Sequence, residues 1–261
     1  MPIPEDELAH LLPLLEVQHD MRAMLEAIDF EQLIPAPMLP ADEATRRLCS
    51  SLFNRHVSPG DGALIPNHAF NVPKWVFLEH AIQRHGVLAH GSANGNIDVF
   101  EPRAAQDNLK GGNTSRVYAA SSGILASFYA VVDRAKLNDL PVIPALNNLY
   151  VPRHDVNGSL IERFQFALDY RALPYFPWRE GTVYLLPAET FTPDHDGEQW
   201  FSEQPVIPLA KVQLAPQDWP LLEQVRGMNF IEFLKRMNAG YEGMPWWNDS
   251  AVYPLNVSNR V

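Results

Sequence analysis

The sequence reads VLAHGSANGNIDVFEPR over residues 87–103 and, after a polar loop, SRVYAASSGILASFYAVVDR over residues 115–134. The apolar run that ends at His90 predicts a short buried strand, and residues 117–119 predict a second one. The serine pair at 121–122 offers a helix N-cap, and the apolar residues after it recur at helical spacing. The stretch therefore predicts a strand, a loop, a second strand and a helix.

Helices are predicted mainly in the first part of the chain and strands mainly in the last third. The predicted helices are residues 5–29, a segment that Asp42 caps and that runs to about Asn54, a segment that Pro73 opens and Gly86 closes, and residues 219–237 with an interruption near Gly227. The predicted strands of the last third are residues 163–170, 182–186 and 206–214. This order indicates an α+β fold, with a helical region over residues 1–72 ahead of a main domain over residues 73–261.

Composition and charge indicate a globular protein and argue against nucleic-acid binding and membrane insertion. Hydrophobic residues make up 46% of the chain and charged residues 20%, as in globular proteins with a sizeable core. The net charge of -11 argues against a nucleic-acid partner, because nucleic-acid binders usually present a basic face. The N-terminus is acidic and lacks the apolar centre of a signal peptide, and no run of about 18 apolar residues occurs. We therefore expect a cytoplasmic protein without a membrane span.

Cysteine and histidine usage gives no sign of a metal site. Cys49 is the only cysteine, which excludes an internal disulfide and a cysteine-based metal site. His80, His85 and His90 recur at five-residue steps, which does not match the spacing of paired metal ligands on a helix. The sequence also holds no Walker-type loop and no G-x-S-x-G elbow. We therefore expect no resident metal.

His90-Gly91-Ser92, Tyr118 and Tyr129 form a pattern in which the second tyrosine follows the first by eleven residues. The pattern resembles the His-Tyr-Glu class of ADP-ribosyltransferases, of the poly(ADP-ribose) polymerase and diphtheria-toxin type. In that class a strand ends in His-Gly-Ser or His-Gly-Thr, a second strand carries the first tyrosine, and the second tyrosine lies on the following helix. The resemblance implies a core of two facing mixed β-sheets that binds NAD as a substrate.

The side chains of these residues can make the contacts with NAD that the resemblance implies. The His90 imidazole can hydrogen-bond a ribose hydroxyl, with Ser92 orienting the ring. Gly91 lacks a side chain, so its backbone can approach the nicotinamide carboxamide closely. Tyr118 and Tyr129 can stack on the nicotinamide ring, each contact contributing roughly 0.5–1.5 kcal/mol beyond area burial. We expect the imidazole and the two phenols to converge on one hollow.

The resemblance also implies a glutamate at the start of a later strand. Its carboxylate would bond a ribose hydroxyl and stabilise an oxocarbenium-like transition state. Glu203 stands just before the apolar run at 206–214 and is the first choice, with Glu198 as the alternative. Catalysis is thus expected from Glu203 together with His90 and Tyr118.

Two further residues are expected to contact NAD. Arg103 follows the His-Gly-Ser strand and can bind a pyrophosphate through its guanidinium, while a structural salt bridge is an equally good interpretation. The family often places a serine eight residues after the first tyrosine. Here that residue is Ala126, and Ser127 beside it is the expected contact.

The predicted function is ADP-ribosyl transfer from NAD to an acceptor that the sequence does not identify, a protein being one option. NAD hydrolysis with water as acceptor is a close alternative. Transfer of a tRNA 2′-phosphate to NAD uses a related fold, but the acidic charge argues against it. A non-catalytic module that holds a nucleotide or a protein partner is the third alternative. Taken singly, His90 can be an ordinary strand-end histidine and each tyrosine an ordinary core aromatic.

Overall fold

A computed structural model describes residues 29–104, 115–140, 146–194, 199–230 and 232–233. These residues form helices and two β-sheets, which confirms the predicted α+β class. The α-helices are α1 (Glu43–His56), α2 (Lys74–His85), α3 (Gly123–Val131) and α4 (Arg134–Asp139). None of the helices in the described ranges combines the length and the apolarity that crossing a bilayer requires.

The strands form one large and one small sheet. In chain order they are β1 (Ile34–Pro35), β2 (Leu88–Ser92), β3 (Arg103–Ala104), β4 (Ser115–Ala120), β5 (Leu146–His154), β6 (Leu160–Asp169), β7 (Gly181–Leu186), β8 (Thr192–Pro193), β9 (Gln199–Ser202), β10 (Ala210–Leu214) and β11 (Arg226–Met228). The large sheet has the order β10–β7–β2–β4–β9–β8, with β3 paired to β4. In the small sheet, β6 pairs with β5 along one edge and with β1 and β11 along the other.

The expectation of two mixed sheets is correct only for the small sheet. Every pair in the large sheet is antiparallel. Among the strand pairs of the described residues, only β6 and β11 run parallel, and the chain between them passes through the large sheet. That passage supplies the long crossover that a parallel pair needs.

Helix α3 lies between the two sheets. On one side, Phe128 is wholly buried and its ring centroid lies 4.7 Å from that of Phe166 in β6 and 5.4 Å from that of Trp219. On the other side, α3 packs against β2 and β7 of the large sheet. The indole N–H of Trp219 donates to the carbonyl of Ile124 at 3.0 Å. The helix that follows β4 is therefore fixed from both sides.

The helix caps predicted at Asp42, at Gly86 and in the serine pair at 121–122 are confirmed. Asp42 accepts from the Thr45 N–H at 2.8 Å at the start of α1. Gly86 closes α2 in the left-handed conformation, with φ of 67°, which favours glycine. Of the serine pair at 121–122, Ser122 is the residue that caps α3, accepting from the Leu125 N–H at 3.3 Å.

The strand predicted at 206–214 is shorter in the structure and covers only Ala210–Leu214. Val206 forms a single isolated bridge with Phe100. Pro208 has no N–H to donate to a ladder, so the chain before β10 runs outside regular pairing.

The helix predicted at 219–237 is wrong over its first part. Leu222–Gln224 form one 3-10 turn, and Arg226–Met228 form β11. Gly227 suits this strand because a Cβ there would lie 2.9 Å from the Cβ of Tyr170, closer than side chains pack. The tight approach to the chain after β6 therefore overrides the helical spacing of the apolar residues.

Packing continues across the predicted boundary at residue 73. Ile34 in β1 pairs with Phe164 in β6, and both belong to the main buried cluster. The Ile65 N–H donates to the Lys211 carbonyl at 2.9 Å, which ties the chain before α2 to β10. The described residues 29–72 therefore share one core with the strands that follow. Residues 1–28, which include nearly all of the first predicted helix, lie outside the described residues.

A carboxyl group from α2 supports the start of α3. Glu79 is buried, and its Oε1 accepts from the Ile124 N–H at 2.8 Å and from the Ser122 hydroxyl at 3.2 Å. Its Oε2 is buried without a hydrogen-bond partner. Burial raises the pKa of Glu79 to about 7, and the nearby Glu162 carboxylate contributes to the rise.

The raised pKa of Glu79 makes stability depend on pH. Below the ordinary glutamate pKa of about 4.3 the carboxyl is neutral in both states. As pH rises from there through about 7, the unfolded chain loses the proton first, so the free energy of unfolding falls. We expect Glu79→Gln to reduce this fall between about pH 5 and pH 8 by a few kcal/mol, because one pKa unit corresponds to about 1.4 kcal/mol.

Urea denaturation of both proteins at the two pH values measures this effect. Glu189→Gln is the matched control, because Glu189 is exposed. If Glu79→Gln and the original chain lose stability equally between the two pH values, the raised pKa is contradicted.

Candidate functional site

Strands β2 and β4 are neighbours in the large sheet, but their pairing is brief. One residue pair, Ala89 with Ala120, joins them, and β2 then continues along β7 alone. At its other end, β4 pairs with β3. The strands thus diverge at a point that we call the ladder break, around which His90, Gly91 and Tyr118 lie.

The His90 side chain bridges the ladder break. Its Nδ1 lies 2.7 Å from the carbonyl oxygen of Tyr118. A carbonyl oxygen only accepts, so Nδ1 donates and carries the proton. Burial lowers the pKa of His90, and the bond to the Tyr118 carbonyl opposes that fall only in part. The ring is therefore neutral at pH 7, and its Nε2 holds a lone pair that can accept a hydrogen bond.

Buried aromatic rings support the imidazole. The His90 ring packs edge-on against Phe100 with centroids 4.8 Å apart, and Phe100 packs edge-on against Tyr184 at 5.0 Å. Tyr184 is the cross-strand partner of His90 on β7, so the two side chains share a face of the large sheet. His90 is thus fixed by a hydrogen bond at one atom and by ring packing along its side.

Helix α3 crosses directly over Gly91. A Cβ built on Gly91 would fall on the carbonyl oxygen of Ala126 and would lie 2.7 Å from the backbone nitrogen of Ala130. Only glycine lets the helix approach the strand so closely. Ala126 is the eighth residue after Tyr118, so the position at which the family often carries a serine lies against Gly91.

Tyr118 points to the side of the sheet on which α3 lies. Its cross-strand partner on β9 is Phe201, and the Arg116 guanidinium lies 3.8 Å from the centroid of the Phe201 ring. Glu203 follows β9 directly, and its Oε1 lies 3.8 Å from Nε of Arg116. Tyr118, Phe201, Arg116 and Glu203 therefore line one face of neighbouring strands.

A second arginine joins this face. Arg103 on β3 pairs across the strands with Arg116 on β4, so the two side chains leave the sheet in the same direction. Arg103 was predicted from the sequence, whereas Arg116 was not. The signal was present, because Arg116 precedes Tyr118 by two residues and strand alternation puts both on one face.

Tyr129 links α3 to the small sheet. Its hydroxyl accepts from the Asn148 side-chain amide at 2.7 Å, and Asn148 lies on β5. Its ring packs edge-on against Phe128 with centroids 5.6 Å apart. Tyr129 directly precedes Ala130, which lies against Gly91, so it belongs to the helix turn beside the ladder break.

The side chains of His90 and Tyr118 leave the large sheet on opposite faces. His90 shares its face with Tyr184 and a second buried cluster, whereas Tyr118 shares its face with α3. The prediction that the His90 imidazole and the phenols of Tyr118 and Tyr129 converge on one hollow is therefore wrong, because His90 and Tyr118 lie on opposite faces. Successive side chains along a strand point to opposite faces of the sheet. A ligand that contacts both His90 and Tyr118 must therefore reach across the ladder break beside Gly91.

Two other predicted residues, Ser127 and Ser92, have clear positions. Ser127 is wholly buried and its hydroxyl donates to the Gly123 carbonyl at 2.6 Å, so the structure keeps it out of the site. The Ser92 hydroxyl accepts from the Asn94 N–H at 3.1 Å, so the Tyr118 carbonyl orients the histidine ring instead. Glu198 lies outside the described residues.

Comparison of the chain with protein-family models, with curated proteins and with solved structures found no match. A functional proposal therefore depends on the residues and the geometry of the ladder break.

Proposed function

We propose that the chain binds NAD at the ladder break and transfers ADP-ribose from it to an acceptor. The observation that carries the proposal is the neutral His90 ring, whose Nδ1 is fixed by the Tyr118 carbonyl while Nε2 keeps a lone pair. A ribose hydroxyl is a donor that suits this lone pair. The α3 backbone fills the space that the missing Gly91 side chain leaves, so in the proposal a carboxamide reaches the Gly91 backbone from the edge of β2 that has left β4.

Two aromatic rings support binding of the nicotinamide ring. Tyr118 is half-buried on the α3 side of the sheet, and Tyr129 stands on the helix turn that covers Gly91. Stacking on one or both rings would hold a flat pyridine beside the ladder break. The Asn148 amide fixes the Tyr129 hydroxyl, so that ring is already oriented before a ligand binds.

The proposed reaction breaks the bond between the nicotinamide nitrogen and C1′ of the ribose. The electron pair leaves with nicotinamide, and C1′ gains oxocarbenium character that a carboxylate stabilises. Glu203 supplies this carboxylate in the proposal, because it shares the face of Tyr118 and 64% of its side chain is exposed. An acceptor hydroxyl or amine then bonds to C1′ and gives its proton to Glu203.

The two arginines on the same face suit the remainder of NAD. A pyrophosphate carries two negative charges, and a guanidinium matches its oxygens in a two-point contact. Arg103 and Arg116 stand side by side, and Nε of Arg116 is buried without a hydrogen-bond partner. In the proposal they bind the pyrophosphate and set the distance between the ribose and Glu203.

Hydrolysis of NAD is the second candidate function. The exposure of Glu203 leaves room for water on the face where the acceptor would stand. Water would then bond to C1′ in place of a hydroxyl or amine of another molecule. The two candidates share every residue role and differ only in the acceptor.

Nicotinamide release from NAD tests the proposal. We expect release by the original chain and a fall of about 100-fold in the Glu203→Ala variant, because one stabilising group typically contributes that much to the transition state. Glu189→Ala is the matched control, since Glu189 is also an exposed glutamate. The absence of release, together with the absence of NAD binding by calorimetry, rejects the proposal. NAD binding without release would assign the site to a non-catalytic module.

A further inference from the structure

A cavity of about 830 Å³ lies between α1 and α2, and none of its lining residues belongs to the ladder break. This volume is in the range of small-ligand sites. Three of its arginines, Arg46, Arg47 and Arg55, come from α1, and Arg84 comes from α2. Arg47 and Arg55 are eight residues apart and lie on neighbouring parts of α1, whereas Arg46 borders the groove from the other side of the helix.

The groove between α1 and α2 has more arginines than acidic residues in its lining. Glu43 is the one acid in the lining, and it contacts Arg46 at 3.2 Å and Arg47 at 3.0 Å. Arg55 and Arg84 are exposed, and in the part of the chain that the structure describes no acidic side chain lies within ion-pair distance of either. A chain with a net charge of -11 thus concentrates four arginines on one concave surface.

One histidine in the groove, His80, responds to this charge. Burial lowers the pKa of His80, and the positive charges of His85 and Arg84 lower it further. Nε2 of His80 lies 3.1 Å from the Ser50 hydroxyl, which holds the ring in place. The groove therefore combines positive charge with hydrogen-bonding groups that are already fixed.

The groove also contains a flat ring held in a fixed orientation. The His85 imidazole stacks on Phe53 with centroids 3.6 Å apart and an interplanar angle of 5°. Phe53 is buried, whereas His85 is exposed. An aromatic base can stack on such a ring, because every base offers a π face.

We infer that the groove between α1 and α2 binds a nucleotide that carries two or more phosphates. Within the ranges that the structure describes, the guanidinium groups of Arg55 and Arg84 have no acidic partner, and they match phosphate oxygens in geometry and charge. Arg46 and Arg47, oriented by Glu43, extend the positive surface along α1. The base stacks on His85. This site is separate from the ladder break, so it does not depend on the proposed NAD chemistry.

Calorimetric titration of the full chain with ATP, tripolyphosphate and adenosine tests the inference. We expect ATP to bind more tightly than tripolyphosphate, and adenosine not to bind detectably. The double variant Arg55→Gln/Arg84→Gln should weaken ATP binding about tenfold or more. The matched control Arg134→Gln/Arg153→Gln removes two exposed arginines elsewhere and should leave ATP binding unchanged. His85→Ala should weaken binding of ATP and leave that of tripolyphosphate unchanged.

Four results would overturn the inference. The first is no ATP binding at millimolar concentration. The second is equal ATP binding by the original chain and the Arg55→Gln/Arg84→Gln variant. The third is binding of a 5′-phosphorylated oligonucleotide when ATP does not bind, which assigns the groove to nucleic acid. ATP binding that is lost in His90→Ala but kept in the double variant locates the nucleotide at the ladder break and also overturns the inference.

Discussion

Gly91→Ala is expected to destabilise the fold by about 3 kcal/mol or more, at or beyond the usual cost of overpacking a core. The added Cβ would meet the backbone of α3 at Ala126 and Ala130, and backbone atoms cannot rotate away as a side chain can. The helix would have to move off β2, and its other side is packed against Phe166 and Trp219. The free energy of unfolding, measured by urea denaturation, gives the size of the effect.

Gly181→Ala and Gly95→Ala complete this experiment. A Cβ at Gly181 would meet the backbone of Ala130, so the same helix would be displaced and a similar loss is expected. At Gly95 the nearest atom to an added Cβ is the Thr182 hydroxyl oxygen at 3.1 Å, a side-chain atom, so the change should be small. Equal stability of the Gly91→Ala and Gly95→Ala variants would contradict the close packing of α3 on β2.

His90→Ala is expected to lower nicotinamide release by about 100-fold or more, as the loss of a positioned hydrogen-bonding group usually does. The variant removes the lone pair at Nε2 and frees the Tyr118 carbonyl. His154→Ala is the matched control, because His154 is an exposed histidine on β5. The free energy of unfolding of each variant separates a loss of fold from a loss of activity. Unchanged release by a folded His90→Ala variant would remove His90 from the reaction.

The same residue predicts a pH dependence. Burial lowers the pKa of His90 below the ordinary value of about 6.5, so the ring is neutral at pH 7 and gains a proton only in more acidic solution. Protonation converts Nε2 from an acceptor into a donor. Nicotinamide release should therefore fall as pH drops through the lowered pKa, and the His90→Ala variant should lose this dependence.

Local chemistry made several elements of the fold predictable. Asp42 and Gly86 fix helix ends through bonds and backbone angles that depend on neighbours in sequence. The position of β11 was not predictable in this way, because it depends on pairing with β6 and on the space that Gly227 leaves beside Tyr170. Pairing partners distant in the chain decide such a segment, and its own apolar spacing does not.

In the candidate site, too, the sequence predicted which strand each residue lies on, but it did not predict which face of the sheet each side chain takes. Sequence order correctly put His90 on one strand and Tyr118 on another, but β2 continues past His90 to Ser92, so His90 is not at the strand end. Which face each side chain takes depends on the register of β2 against β7 and of β4 against β9, which the sequence alone does not specify. Arg116 was missed because no family pattern draws attention to it, although its spacing from Tyr118 put it on the same face.

A crystal structure of the protein with nicotinamide shows whether the ladder break binds a pyridine amide. We expect the pyridine ring beside Gly91, in contact with Tyr118 or Tyr129, and with its carboxamide bonded to the Gly91 backbone. Nicotinamide bound at any other position, or a ladder break that stays empty in crystals soaked with a saturating concentration of nicotinamide, would contradict it.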